Sequence, residues 1–163
     1  MAARRAGARE IVVTDIMDET LAHARNAGAD ETINVAKDAA KMDQYTKDKG
    51  YFDIHLECSG APSALATGIS VVRPKGVLVQ LGMGGDMTLP VQSITAKELS
   101  LKGSFRFHEE FAVAVDMMEK GLIDVKHLIT HTLPIDQAVE GFHLASDRSQ
   151  AMKVQIEMNG APS

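Results

Sequence analysis

Glu10-Ile11-Val12-Val13-Thr14-Asp15 is a short apolar run closed by an acid, and the segment behind it is helix-prone up to Gly28. A strand that ends on a carboxylate and hands over to a helix reads as the second strand of a dinucleotide-binding βαβ unit. There the acid accepts hydrogen bonds from the adenosine ribose hydroxyls of NAD, and its charge repels the extra phosphate of NADP. The glycine-rich phosphate turn of such a unit lies roughly 20 residues before the acid. Asp15 has 14 residues ahead of it. The chain is therefore expected to enter a cofactor domain partway through, lacking its first strand and glycine-rich loop.

The residues on either side extend the pattern. Ala and Arg before Gly7 suit the last turns of a helix leading into the strand. Asp18 is expected to cap a helix over residues 19–27, with Gly28 ending it in the left-handed conformation. A strand follows at 32–35, then a polar, helix-prone segment at 37–49. Residues 52–58 read as a strand that stops at Ser59-Gly60, and Pro62 suits the first position of a helix reaching about Val72. Arg73-Pro74-Lys75-Gly76 makes a turn into a buried strand at 77–81 and the loop Gly82-Met83-Gly84-Gly85. A further strand spans 99–105. The next helix carries Glu109 and Glu110 in its first turn, Phe111, Ala114, Val115 and Met118 on its apolar positions, and Gly121 at its end. Such alternation predicts an α/β fold, a doubly wound parallel (Rossmann) sheet covered on both faces.

From His127 the pattern changes. The run Ile129 to Ile135, a helix at 136–146 and a strand at 151–157 do not read as another βαβ crossover. The expected division is a truncated NAD-binding domain at 1–126 and a separate C-terminal segment at 127–163, whose last five residues, Asn-Gly-Ala-Pro-Ser, are expected to fray.

Composition excludes several classes of function. In 163 residues, 45% hydrophobic and 24% charged content describe an ordinary folded domain with a core. A net charge of -5 without a basic cluster, and only 4% aromatics, argue against nucleic acid as a partner. No apolar run approaches the ~20 residues of a membrane helix, and the first residues lack the apolar core of a secretory signal, so the cytoplasm is the default location. A single cysteine, Cys58, excludes an intrachain disulfide and any multi-cysteine zinc site.

Three strands end in small residues, at Ser59-Gly60, at Gly82 and at Gly103-Ser104. Each alone makes a turn, but their recurrence fits a ligand approaching the carboxyl ends of the strands of an open sheet. Other candidates are weaker. Tyr45 and Lys49 have the Tyr-x-x-x-Lys spacing of short-chain dehydrogenases, but they lie in a charged segment without a suitably placed serine, and the pair is rejected as coincidence. His127 and His131, four apart, would be metal ligands only on one helix face, and the intervening Leu-Ile-Thr favours extended chain. Cys58 reads as a packing residue, with no cation placed to ionise it. Arg106, between Phe105 and Phe107, is either a surface cation stacked on rings or a guanidinium that orients a polyol or carboxylate substrate by paired hydrogen bonds.

In this order, Val-Val-Thr-Asp, Glu-Cys-Ser-Gly, Arg-Pro-Lys-Gly-Val-Leu-Val-Gln-Leu-Gly, Lys-Gly-Ser-Phe-Arg-Phe and Leu-Ile-Thr-His-Thr-Leu-Pro-Ile-Asp-Gln-Ala resemble the zinc-containing medium-chain alcohol and polyol dehydrogenases. The resemblance covers essentially the whole chain. It implies that Asp15 holds the adenosine ribose, that Leu81, Gly82 and Met83 line the nicotinamide, and that Ser104, Phe105 and Arg106 contact the nicotinamide end, with Arg106 also reaching the substrate. It implies NAD as cofactor, a polyol or L-idonate-like sugar acid as substrate, and a homodimer or higher homo-oligomer. Two positions depart from the family pattern. Thr20 stands where polyol dehydrogenases commonly have Arg, which weakens adenosine anchoring, and Phe107 stands where they often have Tyr, which changes the substrate pocket. The family's zinc ligands and proton-relay residues belong to a catalytic domain outside this sequence, and the segment from His127 resembles the return to that domain. In a complete relative, zinc polarises a secondary alcohol, a relay removes its proton, and hydride passes to the nicotinamide. This chain is expected to supply the cofactor half of that chemistry, with no catalytic residue of its own and no turnover alone. Two other classes compete with this reading. One is a non-catalytic assembly module that pairs through sheet edges. The other is an S-adenosylmethionine-dependent methyltransferase using Asp15 and Asp53.

Overall fold

The computed structural model describes residues 1–158. The expected frayed end at 159–163 lies outside the described residues. The chain divides into two compact units, one of Met1–Ala39 with Glu109–Ser163, the other Ala40–His108.

The first unit opens with a single helical turn, α1 (Ala2–Arg5), and strand β1 (Val12–Asp15). Helix α2 (Asp18–Asn26) follows, and β2 (Glu31–Asn34) pairs with β1 in parallel, Asp15 opposite Asn34. Leu21 of α2 and Ile33 of β2 are 2% and 1% exposed, the apolar contact that fastens helix to strands. Gly28 has φ +95°, as its position after the helix requires. Asp18 is not the cap expected of it. Met17 occupies the cap position, and the Asp18 carboxylate instead accepts hydrogen bonds from the Asn34 amide and the Lys37 ammonium across the strand ends. Two tertiary donors have displaced the local capping geometry, and they hold Asp18 below the usual carboxylate range.

Helix α5 (Glu109–Glu119), β6 (Ile129–Pro134), α6 (Ala138–Ser146) and β7 (Lys153–Glu157) complete this unit. β6 and β7 are parallel, so the segment after His127 is a βαβ crossover, contrary to expectation. Two irregularities disguise it in sequence. β6 shifts register between Ile129 and His131, and the 3-10 turn Ile135–Gln137 separates the strand from a short helix. Gly141 lets α6 lie directly on the strands: a Cβ there would be 2.7 Å from Ile156 Cδ1 and 3.3 Å from Leu133 Cδ1. His127 sits in the 3-10 turn Lys126–Leu128 and His131 on β6, so they share no helix face.

The second unit is a three-stranded parallel sheet in the order β3 (Phe52–Glu57), β4 (Val72–Gln80), β5 (Ser100–Gly103), with α3 (Pro62–Val71) and α4 (Val91–Ala96). Pro62 starts α3 as expected. The turn at Arg73 to Gly76 is present as a bulge within β4: Phe52 pairs with Val72, Ile54 with Val77, and Lys75 takes φ +63°. Leu65 and Ile69 of α3 pack on Leu78 of β4, with Met87, Leu89, Ile94 and Leu99 around them. The Lys97 ammonium closes the other end of α3, donating to the carbonyls of Ile69, Ser70 and Val72 at 2.8, 2.7 and 3.0 Å. Alternation along β3 puts His55 and Glu57 on the α3 face and Ile54 and Leu56 on the other. Those two are 59% and 53% exposed, so within this unit the sheet is covered on one face and not on both. All the hydrogen-bonded strand pairs among the described residues are parallel, as the α/β expectation requires.

Tyr45 is buried, its ring 4.7 Å from Phe52 and 5.3 Å from Tyr51. It is a core residue of a charged segment, which removes the Tyr-x-x-x-Lys reading on packing grounds.

Candidate functional site

In the second unit, the carboxyl ends of β3, β4 and β5 meet in a small constellation organised by Glu57. This side chain, 2% exposed, is the last residue of β3. Its Oε1 accepts from the Ser59 amide at 2.8 Å and the Ser59 hydroxyl at 2.5 Å; its Oε2 accepts from the Gly60 amide at 2.9 Å and Gln80 Nε2 at 2.5 Å. Burial pushes the carboxyl up, but these donors outweigh it, and Glu57 titrates below its ordinary value. The acid is therefore ionised at neutral pH and acts as a staple, fastening the turn after β3 to the last residue of β4. The sequence reading missed it as an organiser because a Glu at a strand end carries no sign of which donors will surround it.

The staple draws two glycine loops together. The amides of Leu81 and Gly82 both donate to the Glu57 carbonyl, at 2.8 and 2.9 Å. A Cβ on Gly82 would lie 2.1 Å from the Gly60 nitrogen, and one on Gly84 would lie 1.9 Å from the Gly60 oxygen. No side chain fits at either position, which is the close backbone approach that the recurring glycines suggested. β5 adds its own end, the Ser104 amide donating to the Gln80 carbonyl at 2.9 Å. The resulting cleft of about 340 Å³ is lined by Gln80, Leu81, Gly82, Met83, Gly103, Ser104 and Phe105. Five residues marked out in the sequence, Leu81, Gly82, Met83, Ser104 and Phe105, thus line one cleft. Arg106 is not among its lining; its guanidinium lies over the Phe105 ring, 4.7 Å from the centroid, as a stacked cation.

In the first unit, Asp15 ends β1 with its side chain 18% exposed. Its Oδ1 accepts from the amides of Ile16 and Met17 at 2.8 and 2.9 Å, which fixes the rotamer. Oδ2 is 3.1 Å from the Arg148 guanidinium. Thr20 lies in α2; the cation beside the acid comes instead from Arg148, 133 residues away in sequence. No local signal could have shown that pairing.

The remaining candidates have structural explanations. Cys58 is exposed, and burial of its thiol followed by the Glu57 charge raise its pKa, so it is a poor nucleophile at neutral pH. Asp53 lies near the amino end of β3 and pairs with Arg73, away from the strand ends that line the cleft, which removes the methyltransferase assignment. Among the described residues no group of three or more His, Cys, Asp or Glu could hold a metal ion, so this part of the chain does not fit zinc. No helix among them is long and apolar enough to cross a membrane.

Comparison with known proteins agrees with this layout. Residues 1–120 match the family model described as Zinc-binding dehydrogenase. The chain is 40% identical over 156 residues to the L-idonate 5-dehydrogenase (NAD(P)(+)) of Escherichia coli (strain K12), covering 95% of this chain and 45% of that protein. It is 36% identical over 163 residues to the sorbitol dehydrogenase of Rattus norvegicus, covering 96% and 45%. The crystal structure of L-idonate 5-dehydrogenase from Escherichia coli superposes with a TM-score of 0.91 at 40% identity, over 96% of this chain and 45% of that one. A short chain alcohol dehydrogenase (rspB) from Escherichia coli, complexed with cofactor NADH, superposes with a TM-score of 0.86 at 26% identity, over 96% and 47%. The parallel α/β arrangement is that of the Rossmann-like domain in these dehydrogenase structures. The chain spans about 45% of the length of the curated relatives it matches.

Proposed function

The chain belongs to the zinc-binding dehydrogenase family, and on that premise we propose that it is the cofactor-binding portion of an NAD-dependent polyol or sugar-acid dehydrogenase. The single observation that carries this reading is the cleft at the strand ends, where two glycine loops approach so closely that a Cβ has no room, and where Leu81, Met83 and Phe105 give an apolar lining. A flat nicotinamide needs such a surface. Leu81, Gly82 and Met83 would line its ring, Ser104 and Phe105 bound the same cleft, and Arg106, stacked on Phe105, would orient substrate. Asp15, held by two amides, accepts the adenosine ribose hydroxyls.

The substrate is a polyol or an L-idonate-like sugar acid, supported by the two relatives named L-idonate 5-dehydrogenase and sorbitol dehydrogenase. A nicotinamide bound in the cleft would supply the acceptor for a hydride from the carbinol carbon of such a substrate as its hydroxyl loses a proton. Among the described residues no cluster could hold a metal ion, so a metal-assisted step is not assigned to them. Residues 127–163 form the segment that leads back toward a catalytic domain. We place the protein in the cytoplasm as a homo-oligomer, since the exposed Ile54 and Leu56 leave apolar sheet surface for a second copy.

The test is an NADH emission titration of the purified chain. A saturable response that weakens about tenfold in Asp15→Ala, the size of a lost hydrogen bond to a charged acceptor, is expected. No response from the unaltered chain would overturn the reading.

A further inference from the structure

We propose that the buried carboxylate of Glu57 biases the neighbouring cleft toward a positively charged ring, so that the chain holds the oxidised pyridinium of a nicotinamide dinucleotide in preference to an uncharged ring of the same shape. The inference rests on the dinucleotide reading above and names the group that decides which charge the cleft favours.

Glu57 is a negative charge with no counter-charge among its partners. Its donors are the Ser59 amide and hydroxyl, the Gly60 amide and the Gln80 side-chain amide, all of them neutral. They keep the carboxyl ionised without cancelling its charge. The field reaches past them. At His55, burial pulls the imidazole down while the Glu57 charge opposes it, and at Cys58, burial and then the same charge raise the thiol.

One residue separates this charge from the cleft. Gly82 lines the cleft, and a Cβ placed on it would lie 2.7 Å from Glu57 Oε2. Gln80 belongs to the same wall. Its Nε2 is spent on Glu57 Oε2 and the Gly82 carbonyl, at 2.5 and 2.8 Å, and its Oε1 is buried without a donor among the described residues, which adds the negative end of an amide dipole. Glu57 is 2% exposed, so salt and water screen it little. The cations beside the lining, Lys102 and Arg106, are exposed and therefore screened, and Arg106 is stacked on Phe105. The net field at this wall is negative. The oxidised nicotinamide ring is a cation and the reduced ring is neutral, so the field strengthens the first and does nothing for the second.

Calorimetric titration with NAD+ and with its isostere in which an uncharged benzamide replaces the pyridinium tests the assignment, on the unaltered chain and on Glu57→Gln, with a thermal melt to verify that the variant folds. The two ligands share shape and carboxamide, so a change in loop packing affects both alike and charge alone separates them. The unaltered chain is expected to bind NAD+ about tenfold more tightly than the isostere, the order of a unit-charge attraction across one residue in a protein's effective dielectric. In Glu57→Gln the two affinities are expected to lie within about twofold of each other. If the unaltered chain binds the isostere as tightly as NAD+, or a folded Glu57→Gln weakens both ligands by the same factor and keeps the ratio, the inference fails and the dinucleotide reading stands. Should Glu57→Gln not fold, the ratio in the unaltered chain decides. If the unaltered chain binds neither ligand, both readings fail.

Discussion

The two corners that we assign to the cofactor are built on opposite physical plans. In the second unit the strand ends are locked from within: a carboxylate that is 2% exposed gathers donors from Ser59, Gly60 and Gln80, and backbone packs on backbone where a Cβ has no room. In the first unit the acid is fixed by two amides, but the charge facing it sits on an arginine that is 64% exposed. A buried network is little screened by salt and loses stability when one member is replaced, and an exposed ion pair is adjustable and worth little to stability. The lesson is that one corner has a rigid shape and the other an adjustable charge.

The largest effect should come from filling the backbone contact. Gly82→Val places a branched side chain where a single Cβ already lies 2.1 Å from the Gly60 nitrogen. We expect a loss of about 2–3 kcal/mol in unfolding free energy, the upper range for overpacking, with abolition of NADH binding. Urea unfolding and nucleotide titration measure the two. A stable Gly82→Val that binds NADH normally would show that the corner is not shape-determined.

Glu57→Gln sharpens the same comparison. It replaces an acceptor by an amide facing the Ser59, Gly60 and Gln80 donors, and should cost about 2 kcal/mol. The pH dependence follows from the sign of the shift. The folded-state pKa of Glu57 lies below its unfolded value, so its contribution is complete above that unfolded value, about 4.3, and is lost as pH falls through the lower folded value. Acid unfolding of Glu57→Gln should therefore be flatter than that of the unaltered chain in this range.

The smallest effect belongs to the exposed corner. Raising ionic strength from ~0.1 M to ~1 M shortens the screening length from about 10 Å to about 3 Å and should weaken the Arg148–Asp15 pair. The change in stability from this pair should stay under about 0.5 kcal/mol, read as the salt dependence removed by Arg148→Ala. A larger change would mean that the arginine is part of the fold and not a loosely paired surface cation.

Legibility in the sequence followed the range of the interactions. Asp15 as the end of β1, Pro62 opening α3, the left-handed Gly28 and the strand ends at Gly82 and Ser104 were all readable, because each depends on near neighbours or on hydrophobic alternation. The βαβ crossover after His127 was missed because a register shift in β6 and the 3-10 turn before α6 break both periodicities. Asp18 was misread as a cap because Asn34 and Lys37, which claim it, approach only through tertiary structure. Glu57 and Arg148 belong to the same class: their roles come from partners that folding brings to them.

The most direct test of the cofactor assignment is a backbone amide NMR titration of the isotopically labelled 17.5 kDa chain with NADH. The account predicts that the amides of Gly82, Met83 and Ser104, which line the cleft at the strand ends, shift saturably with added NADH. Unmoved amides at all three positions would contradict a nicotinamide held in that cleft.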